Sequence, residues 1–182
     1  MADVGLLSSL RYLQHDSGAG HPESPDRLRA VAERLEEVGL ARRLTNLQPV
    51  PHERSWVEAV HDPAYLRRVE RACQAGERAI DSPDTCICPA SYEIALLAVD
   101  GALTLVDAVV DGRIRRGFGL IRPPGHHAER DMALGFCLFN NVAIAARYAQ
   151  KQHGLQRIAI VDWDVHHGNG TQHSFEQSPE VL

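Results

Sequence analysis

Apolar and polar residues follow two rhythms along this chain, and the changes of rhythm mark its elements. Residues 4–13 alternate weakly with a period of two, which predicts a first strand. Ser24 reads as a helix N-cap with Pro25 at the first helical position. Leu28, Val31, Leu35 and Val38 then recur at steps of three and four, and Gly39 closes the predicted helix. Trp56, Val57 and Val60 begin a short second helix that ends before Asp62-Pro63, and another helical run covers 64–74. Residues 76–89 are polar and contain Pro83 and Pro89, so a loop is expected, either a substrate-binding rim or an ordinary connector. A long helix follows over 91–110, with Leu96, Leu97, Leu103 and Val106 to bury. Next come a strand at 117–121, a loop, a helix over 139–152 and a strand at 157–162. The run Ile158-Ala159-Ile160-Val161 in that last strand reads as buried on both faces. Helices alternating with strands imply an α/β fold, a parallel sheet flanked by helices. No repeat, low-complexity tract or linker divides the chain.

Composition narrows the function classes. The chain has 182 residues, a size natural to one domain, and 44% of them are hydrophobic, enough for a core. A net charge of −5, with no basic run, argues against nucleic acid as a partner. No apolar stretch approaches the ~20 residues of a membrane span, and the N-terminus lacks the basic start of a signal peptide. The four cysteines, Cys73, Cys86, Cys88 and Cys137, form no disulfide framework or zinc-finger spacing, so a reducing cytoplasm is expected. Cys137 reads best as a small buried apolar residue.

Chemistry concentrates in two places. Asp162, Asp164 and His166 follow the 157–162 run at a spacing of two, so in an extended chain they share one face beyond a strand's carboxyl end. An Asp after a strand often only caps the next helix. Here Asp162, Asp164, His166 and His167 crowd within six residues, and a core has no use for that many polar groups unless something pairs with them. Two carboxylates and an imidazole can take a divalent metal such as zinc, given one more protein ligand and an open position for water. The second place is the loop Arg122-Pro123-Pro124-Gly125-His126-His127-Ala128-Glu129. Its prolines and glycine exclude a regular helix, and its adjacent histidines suit a general base and an electrostatic partner. His15, His52, His61, His153 and His173 read as surface or capping residues.

These motifs resemble the zinc-dependent histone deacetylase family, its class II branch most closely, which includes bacterial histone deacetylase-like amidohydrolases, acetylpolyamine amidohydrolases and acetoin-utilisation proteins. The matching text is Arg122 to Ala128, Gly135-Phe136-Cys137-Leu138-Phe139-Asn140-Asn141 and Val161 to Thr171, with a family-like segment at His21 to Leu28. The resemblance implies the arginase/deacetylase-like three-layer fold. It implies Asp164 and His166 as two of three ligands of a Zn2+ ion, His127 as general base and His126 as its electrostatic partner. Asp162 matches a carboxylate that orients a catalytic histidine, and it lies in a segment whose backbone carbonyls hold a structural K+ in the family. His167 matches a supporting residue. Gly135 and Phe136 match the wall of the acyl-lysine tunnel, with Asp84 at its rim and His21 nearby; a plain Asp-Pro turn fits Asp84 equally well. The implied substrates are acetyl-lysine peptides and acetylated polyamines.

The family's third zinc ligand, an Asp, and its oxyanion-stabilising Tyr or His lie downstream of anything here, and its domain is about twice this long. The resemblance thus implies a truncated fold, the N-terminal part of one deacetylase domain over residues 1–182. Two expectations diverge from that point. One is a deacetylase working through a metal-activated water; the other is an inactive fragment or remnant, prone to association between copies through unpaired strand edges. A two-manganese hydrolase of the arginase type is the third reading, with fewer Asp-rich motifs here than it requires.

Overall fold

The computed structural model describes residues 3–182. Its central element is β1 (Val4–Ser8), which pairs in parallel with β2 (Thr45–Leu47) on one side and β5 (Arg116–Leu120) on the other. The strand expected over 4–13 is thus half strand. At Ser9 the side chain accepts the Arg11 amide and turns the chain into a 3-10 helix, Leu10–Gln14.

Four helices contribute to the main core. The short α2 (Ser55–Glu58) leads into α3 (Pro63–Gln74), which starts as its residues require: Asp62 accepts the Ala64 amide at 2.6 Å and Pro63 takes the first helical position. The long α4 (Ser91–Val110) lies across β1 and β5 and packs against α5 (Asn141–His153). Asn140 caps α5 and Gly154 ends it in the left-handed conformation. Tyr65, Val69, Leu103, Leu138, Phe139 and Ile144 are among the buried residues these helices share. A second cluster, Leu7, Tyr12, Ile94 and Ala98, joins α4 to β1.

Four expectations are corrected. First, α1 (Asp26–Glu37) begins without a side-chain cap from Ser24, whose backbone carbonyl instead accepts the Arg27 amide, and no residue of α1 is fully buried. Leu28 reaches the second cluster, but Val31 and Val38 remain exposed. The amphipathic stripe is present, yet Leu28 is the residue of it that packs on a core cluster, and the helix otherwise meets the 3-10 turn Ala41–Arg43. Second, the polar stretch 76–89 is not a loop throughout. It holds an antiparallel pair, β3 (Ala79–Ile80) and β4 (Ser82–Cys86), turned at Asp81 and tucked in by Ile80, Thr85 and Ile87. Third, residues 157–162 do not form a strand of the main sheet. They run extended beside residues 180–182, with one bridge, Ile158 to Val181, and Val161 is 77% exposed. Between this segment and β5 lies an apolar trough of about 540 Å³, floored by α4 and α5 side chains such as Leu105, Val106, Val142 and Ala146. Without a neighbour in the trough, the run has no ladder on that side and no cover for its second face. Fourth, two histidines expected at the surface, His15 and His61, are buried, because other groups satisfy both of their ring nitrogens.

The four cysteines are free thiols, and burial pushes Cys137 up to about 12, as suits a residue used for its volume. Among the described residues no helix is long and apolar enough to cross a membrane.

Candidate active site

The loop carrying the paired histidines leaves β5 and is fixed at its root by Arg122, which is buried. The guanidinium donates Nε and Nη2 to the two carboxylate oxygens of Glu23 at 2.9 and 2.8 Å. Nη1 donates to the carbonyls of Tyr12 and His15, and Nη2 also to Ser17 Oγ. All five N–H groups therefore have partners. Burial alone would raise the Glu23 carboxyl, but hydrogen bonds and charge from His15 and Arg122 outweigh it and hold Glu23 far below the ordinary carboxylate range. This cluster joins the loop's start to the segment that carries His21.

Beyond Arg122 the two histidine rings lie with centroids 4.1 Å apart. Each has its Nδ1 against an acceptor. His126 Nδ1 is 2.8 Å from Asp162 Oδ2, and His127 Nδ1 is 2.6 Å from Asn169 Oδ1. The loop is held from behind by α6 (Asn169–Phe175), whose Thr171 amide donates to the His126 carbonyl. Gly170 makes that contact possible, since a Cβ there would lie 2.1 Å from the Ala128 carbonyl oxygen.

The second cluster reaches the same place. Asp162 faces His126, and its Oδ1 accepts the Asp164 amide. Asp164 Oδ1 in turn accepts the His166 amide and lies 2.9 Å from His166 Nδ1. The His166 ring is 6.0 Å from that of His127. Burial would raise the Asp162 carboxyl, but the His126 ring and the Asp164 amide hold it below its ordinary value. The Asp164 carboxyl is held low first by the His166 amide and then by the His166 ring. Asp164 and His166 are exposed, and with Asp162 and His167 they line an open cleft of about 990 Å³.

Gly135 and Phe136, expected at a tunnel wall, lie beside the same histidines. Gly135 adopts φ +55°, and a Cβ on it would lie 2.3 Å from His127 Cδ2. Phe136 follows at φ +69°, a left-handed conformation uncommon for a bulky residue. Its ring meets the edge of His21 at a centroid distance of 4.7 Å, and its amide donates to Thr85 Oγ1. His21 Nε2 is 3.1 Å from the Asp84 carbonyl. Asp84 is thus beside the wall on β4, with its carboxylate engaged by the Ser82 and Thr85 hydroxyls. The Asp-Pro turn expected at Asp84 is not found there: Ser82, Pro83 and Asp84 lie within β4, and the chain turns at Asp81.

The structure adds residues that sequence reasoning passed over. Asn169 orients His127, and its signal was weak because an Asn at the start of a helix ordinarily reads as a cap. Arg122 and Glu23 are 99 residues apart, and nothing local in either segment announces the pairing. Glu129 and His173 lie behind Asn169, with His173 Nδ1 within 3.0 Å of both Glu129 carboxylate oxygens.

The donor chemistry at Asp164 and His166 fits a divalent ion in kind: a carboxylate held deprotonated and an imidazole, side by side and open to the cleft. Among the described residues no group of three or more His, Cys, Asp or Glu is arranged to hold a metal, so these two would be its ligands from this region.

Residues 21–182 match the family model described as the histone deacetylase domain. An uncharacterised protein of Synechocystis is 41% identical over 182 residues, which is 98% of this chain and 59% of that protein. The human polyamine deacetylase HDAC10 is 44% identical over 165 residues, 88% of this chain and 25% of its own length. The histone deacetylase-like amidohydrolase of Pseudomonas aeruginosa is 40% identical over 171 residues, 94% and 45% of the two chains. The crystal structure of the HDA15 HD domain superposes with a TM-score of 0.93 at 38% identity, covering 100% of this chain and 52% of that one. The chain spans about 60% or less of the length of each of these relatives. The fold is the arginase/deacetylase-like one, in truncated form.

Proposed function

The chain belongs to the histone deacetylase family, and from that premise we propose that it serves the hydrolysis of N-acetylated amines, acetyl-lysine or acetylpolyamine, to acetate and a free amine. The observation that carries this reading is the pair of oriented histidines. Both rings present Nδ1 to a fixed acceptor, side by side, next to the two metal-type donors Asp164 and His166.

The two histidines have different partners. With Nδ1 given to the Asn169 amide oxygen, a neutral His127 keeps its lone pair on Nε2, the nitrogen a general base needs. His127 therefore takes the proton of the attacking water. His126 has the Asp162 carboxylate behind it, so it is the electrostatic partner, and one of the two rings returns a proton to the departing amine. Asp164 and His166 would be two of the ligands of a zinc ion, which when bound would polarise the acyl carbonyl and acidify water. Gly135 and Phe136 line the way in, and His21 and Asp84 stand at its edge.

The test is acetate release by an intact deacetylase domain that carries these residues, with zinc supplied, from an acetyl-lysine peptide and from an acetylated polyamine. Turnover should be lost to a zinc-chelating hydroxamate. His127→Ala should lower kcat by about 10²-fold or more while the metal content stays unchanged. Near-normal turnover in His127→Ala would refute the assignment of the base.

A further inference from the structure

We propose that Glu129 is a positioning residue for His127, acting through Asn169 to choose which ring nitrogen carries the proton. The proposal rests on the reading of His127 as the base and extends it to a residue that touches no reacting atom.

The argument begins with the Asn169 side chain. Its Nδ2 lies 2.5 Å from Glu129 Oε1 and 3.3 Å from the His127 backbone carbonyl. Both neighbours are acceptors without a hydrogen, so the amide must turn its NH2 toward them. That orientation places Asn169 Oδ1 against His127 Nδ1 at 2.6 Å. An amide oxygen cannot donate, so Nδ1 must carry the ring proton. A neutral imidazole has one N–H, and Nε2 is left bare.

An amide has two faces of nearly equal shape. Flipped, Asn169 would offer its NH2 to Nδ1, and the proton would move to Nε2. The nitrogen required to accept a proton would then be a donor. The Glu129 carboxylate stands against that flip. Its own place is secured independently: His173 Nδ1 reaches both its oxygens, at 2.9 and 3.0 Å, and its backbone carbonyl is 2.7 Å from His61 Nδ1. The Glu129 amide donates to the Met132 carbonyl. Removing the carboxylate therefore leaves the loop's main-chain anchors in place. His126 has no such relay, because Asp162, a carboxylate with no donor face, meets it directly.

The experiment reads the tautomer. In the full chain labelled with 15N-histidine, two-bond proton–nitrogen correlations show which ring nitrogen is protonated, and the signals that vanish in His127→Gln belong to His127. His127 and His126 should both carry the proton on Nδ1. In Glu129→Ala, His127 should lose the pure Nδ1–H form while His126 keeps it. In Glu129→Gln, whose side-chain oxygen still accepts from Asn169, His127 should keep it too. In turnover, Glu129→Ala should lower kcat about 10- to 100-fold, as loss of a supporting partner does, with KM unchanged and Glu129→Gln recovering most of the rate. The proposal is overturned if His127 stays wholly Nδ1–H in Glu129→Ala, if the wild-type ring is protonated on Nε2, or if both histidines change together, which would mean the loop itself had moved. Turnover retained in His127→Ala, with these tautomers as stated, would remove His127 as the base and leave the Glu129 relay standing.

Discussion

Replacing Arg122 with methionine should unfold the chain more readily than any single substitution at its surface. Methionine matches much of the arginine's length but offers no donors. The Glu23 carboxylate would keep its burial and lose both guanidinium bonds, at 2.9 and 2.8 Å, and the Tyr12 and His15 carbonyls would lose the donor they share. Removing one partner of a buried ion pair costs about 3–5 kcal/mol, because the remaining charge stays uncompensated. Domains of this size are stable by roughly 5–15 kcal/mol, so the loss is a large share of the total. Urea unfolding read by circular dichroism should give a much lower midpoint with little change in slope. Glu23→Gln should cost less, since the amide oxygen still accepts from Arg122. The double variant should be more stable than the sum of the two predicts, by about 0.5–3 kcal/mol, because the second change removes the stranded charge. An Arg122→Met cost below about 1 kcal/mol, the range of exposed pairs, would show that the cluster is not held as described.

Gly135→Ala should lower kcat by about 10²-fold, since a Cβ 2.3 Å from His127 Cδ2 must push the ring out of line, and a normal rate would show that the ring is free to shift. His61 gives a pH prediction. Burial lowers it to about 4 from 6.5, so between those values the unfolded chain binds the proton and the folded chain does not. Stability should therefore be full above pH 6.5 and fall by about 3 kcal/mol as pH drops toward 4. Urea unfolding across that range checks it, and a His61→Gln variant with the same slope would refute it. Asp164→Ala and His166→Ala should each weaken zinc uptake measured by equilibrium dialysis, and undiminished binding in both would remove them as ligands. Raising ionic strength should leave the Arg122–Glu23 contribution nearly intact, because both side chains are almost wholly shielded, and a large loss on adding salt would contradict that.

Much of the fold was legible because helix signals are local. The helices expected over 64–74, 91–110 and 139–152 from their apolar spacing are found at Pro63–Gln74, Ser91–Val110 and Asn141–His153. Strand signals are not local. Ile158 to Val161 has the composition of a buried strand, but whether it is covered depends on what lies across the trough. The stripe on α1 likewise reports what a helix could bury, and Val31 and Val38 show that nothing meets it there. In the candidate site the ionisable residues stood out, because charge is costly to place without purpose. Asn169 did not, being a neutral amide in a place where amides commonly cap helices. Arg122 was read as the first letter of a loop motif, and its five partners come from residues more than a hundred positions earlier or nearly so.

The order of strands has a consequence for how the chain comes into being. The central strand β1 is made first, at Val4–Ser8, but its neighbour β5 ends only at Leu120. At roughly 5–20 residues per second, synthesis leaves β1 half-paired for on the order of ten seconds. Pairing across such a separation also closes a long loop before any contact rewards it, which slows folding relative to local pairings. During that interval one edge of β1 is unpaired, and α4, which packs on β1 through Leu7, Ile94 and Ala98, is the helix placed to cover it. α4 thus serves the nascent chain as a temporary cover as well as serving the finished protein as part of its core.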